Sequence, residues 1–373
     1  MPMAYEVGIV DDRRGRRDFL RLPFALHRGN PNWVPPVVSE VGRTLDPRRN
    51  PYFAAASLAL FLCRRDGVPA ARLAVVLDGR YEAAYGRKAA WFGFFEADND
   101  PAGVRALFEA AEAYARSRGA CILEGPFNPN HYSEIGLQAD HFGESPSFFQ
   151  PCNPAYYPAL LEGLGFRSMA RLVTMKNPDF GRTARGFGGS RPDEPGRGGF
   201  TVRPARLDDL DRELDILRDV NNDAFAGQWP FLPLSREEYA FSAKAMRLIT
   251  RPSLVLIGEH RGRPAAVVHA ALDINPLVKI TGGKIGPLSM ARFLRGRRRV
   301  RNLIVFTIAI KNEYRHTRLF AIMQHALVDS ARGFDSIETT WISPDNAAAV
   351  AASAKLGMTP DRSFTVYAKE LRP

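Results

Sequence analysis

Residues 57–78 and 253–274 of this chain are two copies of one pattern, and that repetition restricts the fold more than any other feature. The first reads SLALFLCRRDGVPAARLAVVLD and the second SLVLIGEHRGRPAAVVHAALDI. Each opens an apolar run on Ser-Leu, turns at a basic segment with one glycine (Gly67, Gly262), and begins a second apolar run at Pro-Ala-Ala. Strand, glycine turn, strand is the pattern of a β-hairpin. The echo continues downstream. A helical stretch from Leu107 to Arg118 precedes Gly119 and a strand ending at Glu124. A second, from Leu319 to Arg332, precedes Gly333 and a strand beginning Ile337-Glu338. Asn153 stands before a helix ending Leu164-Gly165-Phe166, and Asn346 before a helix ending Leu356-Gly357-Met358. Three matches in the same order imply a duplicated α/β unit.

A length of 373 residues accommodates two such units, each able to bury its own core. The seam falls at 178–199, PDFGRTARGFGGSRPDEPGRGG, which is rich in Gly, Pro and Arg, lacks periodicity and reads as a flexible linker. The expected domains are therefore 1–177 and 200–373. Within each, helices separate neighbouring strands, so the expected class is α/β, a mixed twisted sheet with helices on both faces. The halves differ at one place. Between Glu124 and Asn153 lie 28 residues where the second half has seven, and this insertion, 125–152, is dense in polar and aromatic side chains. Long loops in compact domains are functional or disordered. The Phe, His and Tyr content argues for function.

Charge and cysteine content bound the partners. A net charge of +11 draws anions such as phosphates, lipid headgroups or nucleic acid, or else reflects arginines on solvated faces. No nucleic-acid recognition module is visible, so nucleic acid is not an expected partner. Cys63, Cys121 and Cys152 are odd in number and lack metal spacing, so no metal is expected. Cys63 and Cys121, in apolar strands, read as packed thiols of a reducing compartment. The N-terminus lacks a signal-peptide pattern, and runs such as Leu303 to Ile310 are too short to span a bilayer. The expected location is cytoplasmic, with attachment at the inner membrane surface left open.

The chemistry-bearing segments follow from local geometry. The strand 301–310 leads through a basic turn into a helix starting near Thr317, and helix starts offer unpaired N–H groups and a positive dipole end to anions. Arg315, His316 and Arg318 add charge. Taken alone, a plain turn with solvated arginines is the simpler reading. Inside the insertion, His131, Tyr132 and Glu134 lie close in sequence with Asn128 before them. A base that deprotonates an ammonium needs a raised pKa, and Glu134 beside Ile135 is placed to be partly desolvated. Equally, His131 and Tyr132 fit a role in fixing the loop. His269, Asp273 and Glu338 are the corresponding candidates in the second half. Glu124 repeats Glu338, which points to a role in the fold for both.

The order of an apolar strand, Tyr314-Arg315, a helix, Arg332-Gly333, a strand with Glu338, Pro344-Asp345-Asn346, a helix, Leu356-Gly357-Met358, and a strand with Phe364, Tyr367 and Lys369 resembles the GNAT acyltransferase superfamily. The resemblance implies two tandem GNAT-like domains. It also implies acyl-CoA as co-substrate at the strand and turn of the second: Ile308, Ala309 and Ile310, then Arg315, His316, Thr317, Arg318, Leu319 and Phe320, with Asn346 at the next helix start. The family's turn carries glycines, whereas Arg315 to Phe320 has none. In the first half, Phe95-Glu96-Ala-Asp-Asn-Asp100 precedes the helix, and its carboxylates would repel a pyrophosphate. Further segments span nearly the whole chain: Trp33-Val-Pro-Pro36, Asn50-Pro-Tyr-Phe53, Phe92-Gly-Phe-Phe-Glu96, Gly125-Pro-x-Asn128, Asn153-Pro-x-Tyr-Tyr157 and Trp341-Ile-x-x-Asp-Asn346. They resemble a narrower tandem-GNAT group that includes bacterial ceramide synthases, which acylate a sphingoid amine from long-chain acyl-CoA. On that resemblance the reaction is N-acylation of an amine. Glu134, His131 and Tyr132 are the catalytic candidates, and Asn128, Phe148, Phe149 and Tyr156 the acceptor-binding ones. Two alternatives stay open: a Fem-type transferase using charged tRNA, and a CoA-binding regulatory protein without catalysis. The run Arg292 to Arg301, six arginines in ten residues beside Met290, Phe293 and Leu294, is suited to an anionic bilayer, to the CoA 3′-phosphate, or to solvent.

Overall fold

The computed structural model describes residues 4–187, 197–284 and 286–371. In chain order the elements of the first half are β1 (Tyr5–Ile9), α1 (Arg13–Leu26), α2 (Val38–Thr44), β2 (Ala56–Arg65), β3 (Val68–Asp78), α3 (Gly79–Tyr85), β4 (Ala89–Ala97), α4 (Pro101–Ser117), β5 (Ile122–Gly125), the short β6 (Phe127–Asn128), β7 (Glu134–Ile135) and β8 (Leu137–Gln138), α5 (Tyr157–Glu162), β9 (Arg167–Asn177) and α6 (Phe180–Gly186). The second half has β10 (Phe200–Pro204), α7 (Leu210–Phe225), α8 (Arg236–Met246), β11 (Val255–His260), β12 (Arg263–Leu272), α9 (Asn275–Thr281), α10 (Pro287–Arg297), β13 (Asn302–Ile310), α11 (Leu319–Ser330), β14 (Ser336–Thr339), α12 (Ala347–Lys355) and β15 (Thr359–Glu370).

The duplication is present down to its irregularities. Strands β1 to β4 are antiparallel neighbours, and β5 runs parallel to β4. Strands β10 to β13 and β14 repeat that arrangement. Both hairpins slip register near the turn, at Cys63/Arg64 and at Gly258/Glu259. Both next ladders bulge in mid-strand, at Arg72/Ala74 and at His269/Ala270. In each unit the parallel strand pairs only with the first part of its neighbour: Ala89–Trp91 against Ile122–Glu124, and Asn302–Val305 against Ser336–Thr339. Beyond those points the two strands part.

The compact units do not follow the linear seam. Unit one takes the described residues of 1–173, 275–293 and 362–373, and unit two those of 174–274 and 294–361. The strand that closes unit one against β5 is β15, from the far end of the chain, with Tyr367 opposite Gly125. The strand beside β14 in unit two is the end of β9, with Ile337 opposite Asn177. A short strand with one bare edge accepts any antiparallel partner of suitable pattern, and two copies of one fold supply interchangeable closing strands. The proposed linker also begins later than 178. Phe180 and Ala184 are buried on α6, and Asn177 Oδ1 accepts from Asp179 N at 3.0 Å at its start. Residues 188–196 lie outside the described residues.

Helices cover both faces of each sheet. In unit one, Leu107, Phe108 and Ala111 of α4 meet Phe61, Leu73, Val75 and Phe92. On the opposite face, Phe19 of α1 meets Leu60 and Ala74. In unit two, Leu217, Val220 and Ala224 of α7 meet Val255, Ile257 and Val267. A Cβ on Gly258 would sit 2.6 Å from Met323 Sδ of α11, so that helix packs on the other face. Cys63 is fully buried, as expected, but Cys121 is exposed, because it stands one residue before β5 enters the sheet.

Candidate functional site

In unit one the gap left by β5 is filled by the insertion. Phe127 of β6 lies against β4 so closely that a Cβ on Gly93 would be 1.8 Å from the Phe127 carbonyl oxygen. Glycine is required there because a backbone approaches a backbone. The next residue, Phe94, has φ +51 at the bulge, and its N–H donates to Asn128 Oδ1 at 2.6 Å. Asn128 Nδ2 donates in turn to Glu134 Oε2 at 3.1 Å, across the β6–β7 ladder. Burial lifts the Glu134 carboxyl above its ordinary range, the Asn128 amide opposes the rise, and the charge of Glu96 adds to it.

Glu96 anchors a second group of contacts at the end of β4. Its Oε2 takes the Tyr157 hydroxyl at 2.8 Å and meets His27 Nε2 at 2.9 Å. Ala97 N donates to Tyr157 Oη at 2.8 Å, and Tyr156 Oη donates to the Ala97 carbonyl at 2.8 Å. Trp33 stacks on His27 with centroids 5.0 Å apart. Arg72, opposite Glu96 on β3, is buried, donates to the Phe19 carbonyl, and has its pKa lowered to about 10 by burial while Glu96 raises it. The Cys152 thiol is pushed up to about 11, by burial first and then by Glu96. Burial likewise takes Tyr156 up to about 12. The result is two neighbouring carboxyls in different surroundings: Glu96 holds two donors, and Glu134 holds one and is desolvated. Desolvation with a single donor favours the protonated form of Glu134.

Asn128 and Glu134 are thus in direct contact. His131 is buried and packs its ring on Tyr132 at 4.1 Å and toward Trp91 at 6.4 Å. Phe148 and Phe149 pack on each other at 5.9 Å on the turn 147–150. Sequence reading missed His27 and Tyr157 as members of the cluster and saw Glu96 only as a repulsive charge. The available signal was that Trp33, Gly93, Glu96, Asn128 and Tyr157 all come from the quoted resemblance segments, which converge here. Glu124 and Glu338 are both buried in ion pairs, with Arg87 at 2.5 Å and Lys176 at 3.6 Å.

In unit two, residues 340–346 leave the corresponding gap sooner. Thr340 N donates to the Val305 carbonyl and Thr340 Oγ1 to that of Phe306. Among the described residues no strand pairs with β13 on that side beyond Val305. Phe306, Thr307 and Ile308 are half-buried there, and Ala309 and Ile310 are buried. The turn into α11 is compact. Thr317 Oγ1 donates to the Tyr314 carbonyl and accepts from Leu319 N, while Phe320 and Ala321 head the helix, where amides lack an intrahelical acceptor. His316 and Arg318 are exposed. Arg315 is exposed as well, and its Nη2 donates to the Ala224 carbonyl at 2.5 Å. Asn346 caps α12 by accepting from Ala349 N. His269 bonds Thr250 at 3.1 Å, and burial lowers its pKa to about 4, so it is neutral at pH 7.

No family model matches the chain. The fold does have solved counterparts. A tandem GNAT protein from the clavulanic acid biosynthesis pathway aligns over 99% of both chains with a TM-score of 0.59 at 16% identity. A GCN5-related N-acetyltransferase from Sphaerobacter thermophilus aligns over 99% of this chain and 96% of that one, with a TM-score of 0.52 at 14% identity. The chain has the tandem GNAT fold. In sequence it is similar to the bacterial ceramide synthase of Caulobacter vibrioides, 26% identical over 95% of this chain and 94% of that protein. It is also similar to the protein YghO of Escherichia coli, 25% identical over 95% and 92%. Within this tandem GNAT fold, the described residues hold no cluster of His, Cys, Asp and Glu placed for a metal ion. No described helix is long and apolar enough to cross a membrane.

Proposed function

We propose that this protein is an N-acyltransferase that moves an acyl group from acyl-CoA to an amine. The observation that carries the reading is the twice-repeated pair of parting parallel strands, filled by the chain's own insertion in unit one and not paired beyond Val305 in unit two. The donor is assigned to unit two. There the edge of β13 from Thr307 to Ile310, beside which no strand is paired among the described residues, offers backbone groups to an extended pantetheine. The Phe320 and Ala321 amides with His316 and Arg318 offer donors to its pyrophosphate. Because the turn lacks glycine, the helix start carries most of the phosphate contact in this reading. Bound acyl-CoA supplies a thioester, from which the thiolate leaves as the amide C–N bond forms. In unit one, Glu134 is the group suited to take the proton from the acceptor ammonium, with Asn128 fixing its carboxylate. Glu96, in contact with Tyr157 and His27, is suited to attract that ammonium.

The acceptor assigned is a long-chain amine of the sphingoid class, met at a membrane surface. Its support is the similarity to the ceramide synthase along nearly the whole chain and the aromatic insertion that includes Phe148 and Phe149. The test is to incubate the purified protein with palmitoyl-CoA and a panel of amines, and to read amide and free CoA thiol together by mass spectrometry. Amide on a long-chain amine matched by thiol release supports the reading. Thiol release without any amide, or no turnover of any amine, overturns it.

A further inference from the structure

Between Asp273 and Glu313 the chain has no acidic residue and nine cationic ones: Lys279, Lys284, six arginines from Arg292 to Arg301, and Lys311. The same stretch exposes large apolar side chains. Ile280 is 73% exposed, Leu288 65% and Leu294 45%. Three of the eight large hydrophobics exposed on the described residues fall within these fifteen positions, so they form a local feature and not a scatter. Helix α10 buries none of its residues. A surface helix ordinarily turns an apolar stripe inward, and α10 instead leaves Leu288 and Leu294 in the open beside Arg292 and Arg295.

The stretch is nonetheless tied down. Asn275 Nδ2 donates to the Pro146 carbonyl at 2.9 Å, and Lys279 Nζ to Ser145 Oγ at 2.9 Å. A Cβ on Gly283 would lie 2.4 Å from the Pro36 carbonyl oxygen. The start of the basic stretch is therefore fastened to the end of the insertion, just before Phe148 and Phe149.

We infer that Ile280, Leu288 and Leu294, with the arginines of α10, form a docking surface for an anionic lipid bilayer. Apolar side chains gain by entering the acyl boundary, and cations gain from the headgroup potential; each is weak alone and reversible together. Duplex nucleic acid uses the cations but gives exposed Ile and Leu nothing to enter, and a merely solvated loop needs neither. The surface stands on these residues alone; its use in delivering a lipid amine to the insertion rests on the acyltransferase reading.

The test sediments the full-length protein with vesicles of phosphatidylcholine, with or without phosphatidylglycerol, in the absence of acyl-CoA and amine. The expected result is binding to the anionic vesicles only, weakened by high salt. A triple variant (Ile280→Ser, Leu288→Ser, Leu294→Ser) and a quadruple one (Arg292→Gln, Arg295→Gln, Arg298→Gln, Arg299→Gln) should each bind at least about tenfold more weakly. All of these side chains lie on the surface or partly so, and thermal melts matching the parent protein exclude misfolding as the cause. Equal binding to neutral vesicles, or unchanged binding in either variant, overturns the proposal. So does binding to duplex DNA without binding to vesicles. Acylation of a water-soluble amine by a protein that ignores vesicles removes this surface and leaves the acyltransferase reading standing.

Discussion

At the scale of the residue, Asn128 is the point where fold and chemistry meet. Its Oδ1 satisfies the Phe94 amide at the bulge, and its Nδ2 holds Glu134. If Glu134 is the base, kcat/KM falls as pH drops through its pKa, because only the carboxylate accepts a proton. That pKa is raised by burial and by Glu96 and lowered by Asn128. Removing the amide in Asn128→Ala must therefore shift the acidic limb of the profile to higher pH. Glu134→Gln should lower kcat/KM by about 10²–10⁴ and abolish the limb. A limb that stays in place in Asn128→Ala shows that the titrating group is elsewhere. The nearness of Asn128 to Glu134 was legible because six residues separate them, whereas their hydrogen bond depends on the β6–β7 ladder. The contact of His27 with Glu96 spans 69 residues and leaves no local pattern to read.

At the scale of the element, two glycines distinguish close approach to backbone from close approach to a flexible side chain. In Gly93→Ala the new methyl would meet the rigid Phe127 carbonyl, in Gly258→Ala the movable Met323 thioether. Overpacking costs about 1–3 kcal/mol and more where backbone must shift. Chemical denaturation should show Gly93→Ala to be the more damaging, with Gly258→Ala near the bottom of that range. Equal losses would mean that β6 yields easily and does not fill the gap firmly. The hairpins were readable because apolar runs and a glycine turn are local. Helices α9 and α10 were not, since α10 buries no stripe and so shows no helical period.

At the scale of the whole molecule, the exchange of closing strands is what sequence could not disclose. Both RSMARLVTMKN and TPDRSFTVYAKE are competent antiparallel strands, and nothing local says which closes which sheet. The exchange predicts that residues 1–187 expressed alone, lacking β15, will not melt cooperatively, and that co-expression with 197–373 will restore a cooperative transition. A sharp melt of 1–187 by itself contradicts it. Duplication raises a further question, whether two donor sites came with two folds. Acyl-CoA is proposed for unit two alone, because Phe127 and Asn128 occupy the corresponding place in unit one. Isothermal titration calorimetry with a non-hydrolysable acyl-CoA analogue measures this directly. The expected result is one site per chain, weakened about ten- to a hundredfold in Arg318→Ala by loss of a charge-assisted bond and unaltered in Glu134→Gln. Two sites per chain, or one that ignores Arg318→Ala and requires charged tRNA for any acyl transfer, would contradict it.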